Sequence, residues 1–296
     1  MRVTQSMLAQ NSLRHMSQSY NHLGTLQDQL STGKKITRAS QDPVVAMSGI
    51  RYRTQSNEVA QFQRNLGEAY NWMEASDSAL DKSTQALQRI RELATQAAND
   101  TYEEGQRSNM AEEVTQLFEH LVSMANTQSN GKYIFNGTNT TEQPVTLNDE
   151  GKIDEVLSNT GDVEIELMKG VKIPVNSEAG KVFNSKFFED IKKLIEDLDD
   201  PDIEGEDLTG SIETIDKHID IMVNERAEMG ARLNRIEMMD ERLGKQEVIA
   251  ERILSDNEDA DMVKVMIDLM SQENVHRAAL GAGARIIQPT LMDFLR

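Results

Sequence analysis

Apolar positions recur along this chain with the period of packed helices. Near the start, Ala9, Leu13, Met16, Tyr20, Leu23, Gln27 and Leu30 alternate spacings of four and three. That is the seam of an amphipathic helix built for a helical partner. Leu8, Leu26 and Ile36 lie off it. Ser31-Thr32-Gly33 ends the pattern; Gly33 suits a helix C-terminus, and Lys34 and Lys35 follow as charges favoured at its negative end. Beyond Asp42-Pro43, Leu66, Met73, Leu80, Leu87 and Ala94 recur every seven residues. This predicts one long helix from about Pro43 to Ala98, continuous or interrupted near its middle, and broken at Asn99-Asp100-Thr101. A third helix carries Met110, Val114, Leu117, Leu121 and Met124. The longest pattern runs from Ile212 through Ile215, Ile219, Met222, Met229 and Leu233 to Leu254, a sustained 3.5-residue repeat that implies left-handed packing. Its phase slips at Ser255-Asp256-Asn257-Glu258-Asp259 and restarts with Ala260, Val263, Ile267 and Met270, as at a stutter or a joint between two helices. Met262, Met266 and Leu269 lie off this last seam.

Between the helices the period changes. Val163, Ile165 and Leu167 alternate with polar residues, as do Val171, Ile173 and Val175 after Met168-Lys169-Gly170, which predicts a hairpin. Phe187, Phe188, Ile191, Leu194, Ile195 and Leu198 predict one short helix, ended by Asp199-Asp200-Pro201-Asp202. Tyr133-Ile134-Phe135, bracketed by Asn130-Gly131 and Asn136-Gly137, reads as a strand between two turns. The fold class is therefore mainly α with a small α+β insert. Pairing the two chain ends antiparallel buries both terminal seams, giving an antiparallel coiled-coil rod with the insert at its far end. Three domains are expected: 1–42 with 260–296, a terminal helical coiled coil; 43–136 with 211–259, a long-helix bundle; and 137–210, an outward-facing acidic insert.

Charge sharpens this division. The chain carries 50 Asp+Glu against 31 Lys+Arg, a net −19. Residues 137–210 hold 19 acids and 7 lysines, and so account for −12 of it. Such acidity argues against nucleic acid as a partner and suits a solvated outer face. Aromatic residues make up 4% of the chain, which suits thin layers of paired helices packed by aliphatic side chains. The absence of cysteine excludes disulfides, thiolate nucleophiles and Cys-ligated metals. The first residues lack the apolar stretch of a cleaved secretory signal, and no run reaches the roughly 18 apolar residues of a membrane span.

Candidate chemistry adds nothing catalytic. His15, His22, His120, His218 and His276 include no pair at i, i+4; His15 and His22, seven apart, read as two solvated histidines. Gly281-Ala282-Gly283 lacks both the third glycine and the preceding strand of a dinucleotide loop. The acidic insert lacks calcium-loop spacing. Asn99, Asn136 and Asn139 open N-x-[ST] triplets that read as turns. No enzyme, cofactor or metal site is expected. The apolar stripes at both termini exceed what one helix pair can bury, and leftover apolar surface of that kind favours self-association.

Particular residues then carry a resemblance. Leu30-Ser31-Thr32-Gly33-Lys34-Lys35-Ile36, followed by Ser40-Gln41-Asp42-Pro43, resembles a segment of bacterial flagellins and their relatives; Gln41 and Val44-Val45 depart from the usual D-D-P-A-G. Tyr133-Ile134-Phe135-Asn136-Gly137-Thr138 resembles the family's Y-x-F-x-G-T stretch, and Ser255 to Leu280 with Gln288-Pro289 its C-terminal helix. The two chain ends are more similar to the family's hook–filament junction members than to filament flagellin. The resemblance implies a structural protein of the bacterial flagellum, exported unfolded by a type III route and secreted to the extracellular flagellum after a cytoplasmic stage. It implies a ring of identical copies, contact with another hook-associated junction protein and with flagellin, and a cytoplasmic export chaperone at the C-terminal helix region. Neither nucleic acid nor membrane is an implied partner. The residues expected to pack subunit against subunit are Leu13, Met16, Tyr20, Leu23 and Leu30 with Val263, Ile267, Met270, Leu291 and Leu295. Filament flagellin itself, and an adhesin or binding module carried on a flagellin-like rod, are the alternatives.

Overall fold

The structure, a computed structural model, describes residues 5–98, 104–147, 153–157, 159–177, 179–200 and 205–287. Asn99-Asp100-Thr101, Leu291 and Leu295 lie outside the described residues. Helix α1 spans Gln5–Thr32, α2 Pro43–Ala97 and α3 Glu104–Ala125. Six short strands follow: β1 Gln128–Ser129, β2 Lys132–Tyr133, β3 Val145–Leu147, β4 Ile153–Val156, β5 Glu164–Met168 and β6 Val171–Pro174. Then come α4 Ala179–Val182, α5 Ser185–Asp199, α6 Gly205–Glu258 and α7 Met262–Ile287. The fold is thus mainly α with a small strand-bearing insert. Helix α2 is continuous. Residues 1–58 with 246–296 form one compact unit and residues 59–245 a second.

The second unit holds the core. Along α2, Leu66, Ala69, Met73, Ser76, Leu80, Ser83, Leu87, Ile90 and Ala94 are buried, alternating three and four as a packed helix face must. Ser76 and Ser83 return their hydroxyls to the carbonyls of Trp72 and Ala79, at 2.9 and 2.8 Å, so neither is left unpaired in the core. Along α6, Leu208, Ile215, Met222, Met229, Ile236 and Leu243 are buried at intervals of seven. The flank beside this line is polar and each member finds a partner. Ser211 donates to Asp197 at 3.2 Å, His218 meets Asp190 at 2.8 Å, and Arg232 donates to the Asn176 carbonyl at 2.9 Å. On the other flank Arg226 forks onto Asp77 and Asp81 of α2 at 3.1 and 2.6 Å, and these carboxylates raise its pKa, the Asp77 hydrogen bond most.

Among the described residues the strands form three antiparallel two-stranded pairs, β1–β2 just before the insert, and β3–β4 and β5–β6 within it. The β5–β6 hairpin turns at Gly170, where φ is +76°, in the expected place. Tyr133-Ile134-Phe135 differs from expectation: the strand ends at Tyr133, and Ile134 and Phe135 leave it to enter the core fully buried. Two consecutive residues of a strand point to opposite faces, so burying both requires the backbone to leave the ladder. Helix α5 starts at Asn184, whose side chain accepts from the Phe187 N–H, and buries Phe187, Phe188, Ile191, Leu194 and Leu198. Phe118, Phe135, Phe183, Phe187 and Phe188 form a single ring cluster with centroid separations of 4.9–6.3 Å. Gly137 has φ +51°, and a Cβ there would lie 2.3 Å from the Asn159 carbonyl oxygen, so the backbone itself demands glycine at that motif position.

Candidate assembly site

The first unit is built differently. Helices α1 and α7 pack against each other, and they run antiparallel: Ser12 and Met16 neighbour Gly283, Ser19 neighbours Gln272 and His276, and Lys34 neighbours Asp259. The buried and half-buried line on α1 is Ala9, Ser12, Met16, Ser19, Leu23, Leu26 and Leu30. On α7 it is Val265, Leu269, Gln272, His276, Ala279 and Gly283. Ser19 Oγ accepts from Gln272 Nε2 at 3.0 Å and lies 3.3 Å from His276 Nδ1, so the seam contains a satisfied polar layer. Gly283 is buried, with Met16 Sδ at 3.2 Å from where its Cβ would stand. Close approach is therefore its role; Gly281 has open space.

This corrects the seam read from periodicity. Two phases share Ala9, Met16, Leu23 and Leu30, and differ in choosing Ser12, Ser19 and Leu26 or Leu13, Tyr20 and Gln27. At the first two of these positions the chain packs the small residue inward, where helices can approach, and leaves the large one outside. Leu26 and Leu269, expected off the seam, are on it. Leu13, Tyr20, Val263, Ile267 and Met270 are instead 54–71% exposed. Among the described residues, sixteen of the twenty exposed large hydrophobic side chains belong to the first unit, while its buried hydrophobic residues are Leu26, Ala250 and Val265. A patch of that extent on one unit marks an interaction surface.

The family-motif residues build the joint at the end of this unit. Gly33, at φ +68°, closes α1 by donating its N–H to the Gln29 carbonyl at 2.9 Å. Its own carbonyl accepts from Ala260 N at 2.8 Å, and Lys35 N donates to the Glu258 carbonyl at 2.7 Å. Asp42 caps α2, its Oδ1 accepting from Val44 N at 2.9 Å and Val45 N at 3.1 Å, with Pro43 in the first helical position, where a missing N–H costs nothing. Gln41, the departure from the motif, takes over the turn: its Oε1 accepts from the Thr37 and Arg38 N–H groups at 2.7 and 3.1 Å. Ile36, half-buried, lines a cavity of about 210 Å³ with Val45, Ile50, Arg53 and Glu258.

Glu258, buried, is the hub. Arg53 grips both its carboxylate oxygens at 2.8 Å and Lys34 lies at 3.5 Å. Lys34 also donates to Asp259 at 2.7 Å. That hydrogen bond holds the Lys34 ammonium above, and the Asp259 carboxyl below, its ordinary pKa; the bond to Glu258 raises Arg53. A Cβ on the buried Gly49 would sit 2.7 Å from Glu258 Oε1, so glycine makes room for the carboxylate. Sequence reasoning found the phase slip containing Glu258 but not its partners, because Arg53 is 205 positions away and no periodicity links the two. Glu258→Ala is expected to loosen the joint by about 1 kcal/mol, because its cationic partners are largely solvated. The readout is faster tryptic cleavage at Lys34 and Lys35, with the second unit's melting unchanged; equal cleavage rates would remove Glu258 from that role.

Among the described residues no group of three His, Asp or Glu is arranged to hold a metal ion, and no helix is long and apolar enough to cross a membrane. What the arrangement offers is an apolar, uncovered pair of terminal helices on a hydrogen-bonded joint.

Residues 3–140 match the family model described as the bacterial flagellin N-terminal helical region. A flagellin from Clostridium tyrobutyricum is 31% identical over 125 residues, 42% of this chain, which spans only 33% of that flagellin's length. Flagellar hook-associated protein 3 from Escherichia coli K12 is 24% identical over 307 aligned positions, covering 95% of this chain and 96% of the relative. The crystal structure of flagellar hook-associated protein 3 from Legionella pneumophila matches 69% of this chain and 97% of its own, at TM-score 0.63 and 17% identity, which shows a shared fold. Residues 3–140 are thus similar to the N-terminal helical region of the bacterial flagellins, and the chain aligns with flagellar hook-associated protein 3 across nearly its whole length.

Proposed function

We infer that this chain is a structural protein of the bacterial flagellum and forms the junction between hook and filament, working by assembly and without catalysis. The observation that carries the assembly reading is the exposed apolar face of the first unit, with Leu13 and Tyr20 on α1 and Val263, Ile267 and Met270 on α7. The junction reading rests on end-to-end alignment with hook-associated protein 3 and on the resemblance of the two chain ends to junction members. A flagellin from Halalkalibacterium halodurans also aligns over 94% of this chain, so the filament subunit is the rival that the test below decides. In the assembly, identical copies form a ring that meets another hook-associated protein on one side and flagellin on the other. Residues 1–42 and 260–296 would line the inner tube, 43–136 and 211–259 the next shell, and 137–210 the hydrated exterior. Before export the exposed apolar face of α7 needs cover in the cytoplasm, which suits a chaperone at the C-terminal helix region; after export the chain belongs to the extracellular flagellum.

The test is deletion of the gene in the source bacterium. Loss of filaments with hooks retained, and filament regrowth when purified chain is added from outside, is the expected result. Long tubes formed by the purified chain alone would favour the filament subunit instead.

A further inference from the structure

The chain has sixteen methionines, and those described range from fully buried to largely exposed, Met7, Met47 and Met238 being exposed singly. Met73, Met222 and Met229 are at most 2% exposed in the core of the second unit, whereas Met262, Met266 and Met270 are 40–60% exposed. The latter three follow one another at intervals of four on α7, which sets their side chains along one side of the helix. Val263 and Ile267, also exposed, lie between them, so the thioethers belong to the apolar face assigned above to subunit packing. A thioether is the one apolar group on that face that mild oxidants attack.

We propose that Met262, Met266 and Met270 form an oxidation site at which a peroxide switches the α7 face from assembly-competent to assembly-incompetent. The inference rests on the assembly reading above. In each event the sulfur lone pair attacks a peroxide oxygen; the S–O bond forms as the O–O bond breaks. The departing oxygen takes the proton of the transferred hydroxyl and leaves as water. Sulfur loses two electrons and the peroxide gains them, so no further reductant or oxidant enters. The product sulfoxide is polar and a strong acceptor in place of a flexible apolar group. Packed against a neighbour that offers no donor, each sulfoxide weakens association by roughly tenfold. The free subunit is vulnerable because the face is open. Once a neighbour covers it the thioethers are shielded, so oxidation rejects damaged subunits before incorporation and leaves finished assemblies alone.

The experiment exposes the purified full-length chain to limiting hydrogen peroxide and follows the gain of one oxygen at each methionine by peptide mass spectrometry. Filament regrowth on cells lacking the chain then measures assembly. Met262, Met266 and Met270 should oxidise at least about tenfold faster than Met73, Met222 and Met229. The helical circular dichroism should not change, and roughly tenfold or more additional oxidised chain should be needed for regrowth. The M262L/M266L/M270L variant keeps the face apolar and should support regrowth equally before and after peroxide. Oxidation of the three at the buried rate, unchanged regrowth by the oxidised chain, or equal peroxide sensitivity of the leucine variant would each overturn the proposal. The first two readouts use wild-type chain, so they decide even if the variant misfolds. Failure of the untreated wild-type chain to restore filaments would overturn the assembly reading itself, and the proposal with it.

Discussion

Ile267→Asp is expected to abolish incorporation while leaving the monomer folded. Ile267 is exposed on α7 between Val263 and Met270, so in the free subunit the new carboxylate stays in water. Surface substitutions of this kind fall within about 0.5 kcal/mol of neutral. In an assembly that covers the face, the same carboxylate must shed its water against apolar neighbours. An unpaired buried charge costs about 3–5 kcal/mol, which is a loss of roughly 10²–10³-fold or more in association. Melting of the purified variant should therefore match the wild type, and filament regrowth on cells lacking the chain should fail. Normal regrowth would remove this face of α7 from the subunit contact. The complementary change Leu26→Asp tests the other side of the same helix pair. Leu26 is buried within the monomer, so that variant should lose the α1–α7 pairing itself, and the two failures are separable by circular dichroism.

Periodicity revealed most of the fold because most of it is helix with a strict heptad. Leu66, Met73, Leu80, Leu87 and Ala94 all lie in the core, as their spacing required. The β5–β6 hairpin was legible from alternation and the glycine turn. The terminal seam was not, since hydrophobicity favours Leu13 and Tyr20 over Ser12 and Ser19, while close helix approach favours the small pair. A heptad pattern reports that two faces are apolar without saying which is buried inside one chain and which between chains. The joint at Glu258 was legible only as a break in phase. Its Arg53 and Lys34 contacts join positions more than two hundred residues apart, and local sequence carries no trace of them. Aromatic composition was misleading in a useful way. Few aromatics suggested uniformly thin layers, yet five of the seven phenylalanines gather in one cluster where α3, α5 and the insert meet.

That concentration makes Phe187→Ala the most damaging substitution expected for the second unit. Phe187 is fully buried. Its ring lies 4.9 Å from Phe188, 5.7 Å from Phe183 and 5.1 Å from His218, each nearly edge-on. Truncation removes the transfer energy of the ring and leaves a cavity, together about 3–5 kcal/mol. It also removes the wall against which His218 is held at 2.8 Å from Asp190, and so weakens the contact between α5 and α6. For a unit of this size the loss corresponds to a fall in melting temperature of roughly 6–20 °C. Phe187→Leu fills much of the same volume and should cost less than about 1.5 kcal/mol. A fall of only 1–2 °C for Phe187→Ala would mean that the cluster collapses around the gap at little cost. The contrast with Ile267→Asp then separates two kinds of apolar surface in one chain: one that folding consumes, read by melting, and one that folding leaves for other copies, read by assembly.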